Sequence, residues 1–190
     1  MNLSLETLLQ LCILLPVFAT IGIVAFRRHQ NLREAVSIVT SLFVFYAVVS
    51  IYLGLQSGET ISVHWLQILP GLSVSFAVEP LGMIFALIAS FLWLVTIIYS
   101  IGYMRGHNED HQTRFYCCFA IAIGGVMGVA FADNLLTLFI FYEVLTLSTY
   151  PLVTHAGTEA AKKGGRIYLG ILLSTSIAFF LFAILGTWVI

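Results

Sequence analysis

Charged residues are scarce in this sequence, since only 9% of its 190 residues are Asp, Glu, Lys or Arg. Soluble domains have about a quarter of their residues charged. Hydrophobic residues make up 60% of the chain, which is more apolar surface than a water-soluble core of this length could bury. The composition excludes an ordinary soluble domain and predicts an integral membrane protein.

Basic residues and cysteines are also few. The net charge is −1 and no basic cluster is present, so we expect no nucleic-acid partner. Cys12, Cys117 and Cys118 lie in apolar segments, where cysteine acts as a small packing residue rather than as part of a disulfide framework. Cys117 and Cys118 are adjacent, and such a pair can bridge only with strain.

The sequence consists largely of long apolar runs. A bilayer core about 30 Å thick requires roughly 20 apolar residues in a helix. No basic residue precedes the first run, which argues against a cleaved signal peptide. We predict a single transmembrane domain over residues 1–190, with six helices over about 8–26, 35–55, 81–103, 115–132, 135–155 and 167–190.

The basic residues predict an orientation for these helices. All eight fall in three alternate connections, and connections rich in Lys and Arg stay in the cytoplasm. Both termini are therefore predicted to be extracytoplasmic. The residues are Arg27, Arg28 and Arg33, then Arg105 and Arg114, then Lys162, Lys163 and Arg166.

The connection between predicted helices 2 and 3 has a pattern of its own. "TISVHWLQI" and "LSVSFAV" alternate apolar and polar residues, and Pro70-Gly71 between them has turn chemistry. The pattern favours a short extracytoplasmic β-hairpin, with an irregular loop as the alternative. The predicted fold class is an all-α membrane protein with this hairpin.

One acidic residue lies in the middle of predicted helix 5. Glu143 is about 15 Å from either surface at 1.5 Å per residue. An acid at the bilayer centre costs about 2.5–3.5 kcal/mol on the insertion scale, and such residues commonly serve ion or proton pathways. Glu143 is the candidate catalytic, proton-handling residue. The alternative is a protonated acid that joins two helices by a hydrogen bond.

Polar residues follow Glu143 along one face of the same helix. Thr146, Tyr150 and Thr154 have helical spacing from Glu143, and His155 adjoins the last of them. They form a predicted proton path towards the cytoplasm. Pro151 removes a backbone donor and distorts the helix beside that path.

The remaining polar groups do not predict a second site. His107 and His111 flank Glu109 and Asp110, a pattern typical of a solvated loop. We expect neither a metal site nor a bound cofactor. No Lys or Arg of the chain is placed at mid-membrane to pair with Glu143.

Helix 5 resembles a known family. "ADNLLTLFIFYEVLTLSTYPLV" (132–153) resembles the antiporter-like subunits shared by Mrp-type cation/proton antiporters, respiratory complex I and membrane-bound hydrogenases. "VEPLGMIF" (78–85) and "YSIGYM" (99–104) are similar to the two ends of that family's helix 3, where Asp is commoner than Glu79. "YEVLTLSTYPLVTHAGTEAAKKGGRIYLG" most resembles the D-type subunit of the Mrp antiporters.

The resemblance implies a proton-translocating subunit of the bacterial inner membrane, with Glu143 as its central proton-handling residue. Family members have about fourteen helices, and this chain reaches only the sixth, before the membrane lysine that pairs with the helix 5 glutamate. We expect the N-terminal part of a fourteen-helix antiporter-like fold. The implied partners are the lipid bilayer, the helices carrying that lysine, other membrane subunits, H⁺ and Na⁺.

Three functions are compatible with these observations. The primary hypothesis is the N-terminal portion of a subunit of a multi-subunit monovalent cation/proton antiporter, which is a transporter rather than an enzyme. The second is a proton-pumping subunit of complex I (NADH:quinone oxidoreductase) or of a membrane-bound hydrogenase, which would count as part of a translocase. The third is a non-transporting membrane scaffold.

Overall fold

A computed structural model describes residues 3–189. Within that range the chain forms six helices, each long and apolar enough to cross a membrane, and one two-stranded antiparallel sheet. The elements in chain order are α1 Leu5–Ala25, α2 Gln30–Gln56, β1 Ser62–Leu69, β2 Leu72–Ala77, α3 Pro80–Gly106, α4 Gln112–Ala130, α5 Leu135–Val153 and α6 Glu159–Val189.

The predicted hairpin between helices 2 and 3 is confirmed. Strands β1 and β2 pair from Ser62 with Ala77 to Leu69 with Leu72, with two register irregularities. Gly71 in the turn has a φ of +81°, a conformation that glycine adopts without steric cost. The alternation of apolar and polar residues was therefore a strand signal rather than an irregular loop.

Helix α6 begins earlier than the sequence predicted. It starts at Glu159 rather than near 167; its predicted final residue, Ile190, lies outside the described range. The hydroxyl of Thr158 accepts a hydrogen bond from the Ala161 amide at 3.1 Å, and Lys162 Nζ lies 2.9 Å from Glu159 Oε1. A cap and an i,i+3 ion pair thus make a helical start of a polar segment that hydropathy alone assigned to a connection.

Helices α1 to α4 form a closed ring of contacts, and α5 and α6 extend from α4. Helix α1 contacts α2 and α4, α3 contacts α2 and α4, and α4 also contacts α5. Helix α6 packs on α5 and leaves large apolar side chains uncovered, with Phe179 and Phe182 each 76% exposed. Helix α5 therefore lies between the main bundle and α6.

The hairpin is fastened to the connection between α4 and α5. The Ser75 amide donates to Thr137 Oγ1 at 3.0 Å, and Ser75 Oγ donates to Asp133 Oδ2 at 2.8 Å. Asn134 Nδ2 donates to Ser75 Oγ at 2.8 Å, while Asn134 Oδ1 accepts from the Thr137 amide at 2.9 Å. Asn134 is thus the N-cap of α5, and this network fixes where α5 begins.

The opposite end of the bundle has a buried ion cluster. Arg33, predicted to be in a loop, lies in the first turn of α2 and is only 4% exposed, and Glu34 is 3% exposed. Arg105 of α3 binds Glu34 through both Nε, at 3.1 Å, and Nη2. Arg33 binds Gln112 of α4 at 2.7 Å. Three helices are therefore tied together at the end where the basic residues lie.

Helix α3 approaches the end of α4 closely at Gly82, which gives a test of this packing. A Cβ added there would lie 2.0 Å from the Ala130 carbonyl oxygen, whereas one at Gly102 of the same helix meets nothing within 4 Å. We expect Gly82→Ala to lower the free energy of unfolding by about 1–3 kcal/mol, because backbone must move. Gly102→Ala, the matched control, should change it little or raise it by up to about 1 kcal/mol.

Denaturant unfolding of the detergent-solubilised protein measures both substitutions. Equal stability of the two variants would contradict the close approach of α3 to α4.

Candidate functional site

Glu143 lies near the midpoint of α5. Two residues closer to the hairpin, Phe141 packs edge-on against Phe76 with ring centroids 5.4 Å apart, and Phe76 packs against Trp65 at 4.6 Å. Edge-to-face aromatic pairs of this kind add to the free energy of packing. They hold this part of α5 against the hairpin and so fix the position of Glu143 relative to the hairpin.

The carboxyl group of Glu143 is satisfied on one side only. Ser176 of α6, itself 4% exposed, donates its hydroxyl to Glu143 Oε1. The second oxygen, Oε2, is buried and has no hydrogen-bond partner among the described residues. Buried polar atoms nearly always have a partner, so Oε2 is an open acceptor or donor position in the interior.

Two of the predicted path residues face α6. Thr146 is buried. Tyr150 and Thr154 face α6, because a Cβ on Gly165 would come within 3.1 Å of Tyr150 Cε2 and 2.3 Å of Thr154 Cγ2. The Thr154 hydroxyl donates to the Tyr150 carbonyl at 3.1 Å. The contacts place on the α6 side Glu143, Tyr150 and Thr154, which are three of the four residues for which the spacing predicted a common face.

His155 is placed differently from the sequence expectation. Helix α5 continues through Pro151 but ends at Val153, with Thr154 as its C-cap, so His155 is beyond the helix rather than within it. Its ring lies 6.1 Å from that of Phe115 on α4, and its carbonyl accepts from Arg114 at 3.2 Å. His155 Nδ1 is buried without a partner among residues 3–189. The change of direction at the helix end turns this side chain towards α4.

Two α6 residues were missed by sequence reasoning. Ser176 belongs to the run Ser174-Thr175-Ser176, which was visible as polar but has no ionisable group. Tyr168 forms a second interhelical hydrogen bond, with its hydroxyl 3.1 Å from Thr149 Oγ1. The sequence does show hydroxyl side chains in the helix that follows Glu143. The rotation of α6 about its axis decides which of these hydroxyls faces Glu143, and the sequence does not give that rotation.

The described part of the chain contains no group of three or more His, Cys, Asp or Glu side chains placed to hold a metal ion. His107, one of the two loop histidines, stacks on Tyr103 with ring centroids 4.4 Å apart.

Comparisons with known proteins address the fold and the family resemblance. Residues 65–116 match the family described as NADH-Ubiquinone oxidoreductase (complex I), chain 5 N-terminus. The solved structure of the membrane-bound sulfane sulfur reductase, an archaeal respiratory membrane complex, superposes on 90% of this chain and 26% of its own, with a TM-score of 0.73 at 19% identity. The chain has an antiporter-like membrane fold.

Curated proteins of similar sequence support the resemblance to antiporter-like subunits. The chain is 24% identical over 152 residues to Na(+)/H(+) antiporter subunit A1 of Staphylococcus aureus, and 26% identical over 154 residues to that of Staphylococcus haemolyticus (strain JCSC1435). Each match covers 78% of this chain and 19% of the relative. The antiporter-like chain thus spans about a fifth of their length. The resemblance to antiporter-like subunits is confirmed, whereas the likeness to the D-type subunit in particular stays a prediction.

The hydrogen bond between α6 and Glu143 gives a stability test. Ser176→Ala removes the donor and leaves both carboxyl oxygens without a partner, which should lower the free energy of unfolding by about 1–3 kcal/mol. Ser174→Ala, on an exposed position of the same helix, is the matched control and should change it by less than about 0.5 kcal/mol. Denaturant unfolding in detergent provides the measurement, and equal effects of the two variants would show that Ser176 does not hold Glu143.

Proposed function

We propose that this chain is the N-terminal portion of a proton-translocating subunit in a multi-subunit monovalent cation/proton antiporter, with Glu143 as the proton site. The observation that carries the proposal is the half-satisfied carboxyl group at mid-helix. One oxygen is held by Ser176 and the other is buried without a partner in the described chain. An acid that served only to join helices would be expected to use both oxygens, since unpartnered buried groups are costly.

The path to the site follows the α6 side of α5 in this proposal. Tyr150 and Thr154 share the side on which Ser176 meets Glu143, and Thr146 lies one turn from the acid. His155 lies at the basic end with a buried ring nitrogen that has no partner among the described residues. Pro151 lies between them, where a missing backbone donor leaves room for water to bind. These side chains would relay protons between Glu143 and the cytoplasmic side.

The partners follow from the same proposal. A proton site of this type requires a cation that can approach it, and the helix carrying that cation would pack on the uncovered face of α6. Other membrane subunits would complete the assembly, as the names of the relatives suggest, and Na⁺ would be the exchanged ion. The cell membrane would hold the complex with both termini extracytoplasmic.

Respiratory proton pumping is the second candidate. The matched family is described as part of complex I, and the superposed structure belongs to a respiratory membrane complex. In that case redox chemistry elsewhere would drive the same proton site, and proton movement would depend on an electron donor rather than on a Na⁺ gradient.

Substitution of Glu143 tests the transport proposal. In inverted vesicles containing the complete assembly, Glu143→Gln should reduce Na⁺-dependent proton movement about 100-fold or more, because the group can no longer exchange a proton. Glu143→Asp keeps the acid one methylene shorter and should retain partial activity. A pH-sensitive dye reports the rate after a Na⁺ pulse.

Glu159→Gln is the control for that experiment, because it removes an exposed carboxylate at the first residue of α6. Wild-type transport by Glu143→Gln would leave Glu143 as interhelical glue and favour the scaffold function. Transport that requires a respiratory substrate instead of Na⁺ would favour the second candidate.

The orientation is tested by cysteine labelling in intact cells. Glu59 and Ala156 are exposed positions on opposite sides of the predicted topology, so an impermeant maleimide should label Glu59→Cys and spare Ala156→Cys. The unsubstituted chain is the blank, since its three cysteines lie in apolar segments. Labelling of Ala156→Cys from outside would reverse the proposed topology.

A further inference from the structure

The buried ion cluster of Arg33, Glu34 and Arg105 has an excess of one positive charge. Glu34 is engaged through both oxygens by Arg105. Arg33 reaches the same carboxylate only at 3.5 Å, through Nη2. Across residues 3–189, Glu34 is the one carboxylate within ion-pair distance of either guanidinium. Two arginines thus share one carboxylate, and the excess charge is on Arg33.

Arg33 is also incompletely hydrogen-bonded. Its other partners are neutral, with Gln112 Oε1 at 2.7 Å and Thr113 Oγ1 at 3.2 Å, and its guanidinium lies 5.2 Å from the centroid of the Tyr116 ring. The Nε atom is buried and has no partner among the described residues, although the residue is only 4% exposed. A buried guanidinium with an unpartnered donor and no full counter-ion calls for an anion.

A cavity of about 630 Å³ adjoins this residue. Its lining includes Arg33 together with Arg27, Arg28 and Arg114, against two carboxylates, Glu109 and Asp110. Neither carboxylate forms an ion pair with these arginines in the described chain, where the ion pairs are those of Glu34 and Glu159. The cavity therefore has a net positive lining.

Two helix N-termini reach the same cavity. Helix α2 begins at Gln30 and α4 begins at Gln112, and both residues belong to the lining. The N-cap residues, His29 and His111, make no side-chain cap hydrogen bond. First-turn amides without caps and the positive ends of two helix dipoles favour an anion at this place.

We propose that this cavity binds the phosphate headgroup of an anionic phospholipid. It lies at the end of membrane-spanning helices, where headgroups are the most concentrated anions, and basic pockets between such helices are a known type of lipid site. Val24 of α1, 50% exposed, belongs to the lining and gives the cavity an apolar edge for the start of an acyl chain. The headgroup phosphate supplies the counter-ion of the Arg33 guanidinium, while Arg27 and Arg28 bind it from the exposed side.

Lipid retention by the full chain tests the site. The protein, purified with whatever subunits accompany it, is titrated with phosphatidylglycerol or phosphatidylcholine, and bound lipid is counted by native mass spectrometry. The double substitution Arg27→Gln/Arg28→Gln changes exposed residues, which leaves folding intact, and should weaken phosphatidylglycerol binding about tenfold or more. Arg33→Gln should weaken it further, provided that variant folds.

Lys162→Gln/Lys163→Gln is the matched control, because it removes two cations at the same end but outside the cavity. We expect wild-type lipid retention from it, and no saturable binding of phosphatidylcholine by any variant. An equal loss in this control would show general surface attraction and overturn the site. Wild-type retention by Arg27→Gln/Arg28→Gln would do the same, and displacement of the lipid by millimolar inorganic phosphate would assign the cavity to a soluble anion.

Discussion

The amide of Asn134 is bound at both of its ends, and the position of everything in α5 depends on it. Its oxygen accepts from the first turn of the helix, while its nitrogen donates to Ser75 and to the Ser73 carbonyl of the hairpin. A helix rises by a fixed amount per residue. Once the first residue is fixed relative to the hairpin, the depth of Glu143 and the level at which it meets α6 are fixed as well.

Glu34 and Glu143 illustrate two ways of keeping a carboxylate inside a membrane protein. Glu34 is surrounded by guanidinium donors at the end of the bundle, an arrangement that stabilises one charge state and one geometry. Glu143 has a single neutral hydroxyl donor and one open oxygen. The first arrangement ties three helices together through charged groups, and the second joins two helices while one carboxyl oxygen has no partner in the described chain.

The spans were predictable because apolar length is a local property, and so was the hairpin because alternation with Pro70-Gly71 is a local pattern. The start of α6 was not, since capping by Thr158 outweighed the polarity of the segment. The mid-helix position of Glu143 followed from counting residues, and the side shared with Tyr150 and Thr154 followed from helical spacing. Ser176 and the buried Arg33 could not be predicted, because helix rotation and the packing of three helices at one end decide them.

Helix α6 packs mainly on α5. Trp188 donates to the Pro70 carbonyl at one end, Ser176 meets Glu143 in the middle, and Gly165 touches Thr154 near the other end. A rotation of α6 about its own axis by about 100°, the step of one residue, would carry Ser176 away from the carboxyl group. A contact on the outer surface of α6 would act on that rotation. Phe179 and Phe182 lie on that surface, so a helix that packs on them would decide, by turning α6, whether Ser176 stays within reach of Glu143.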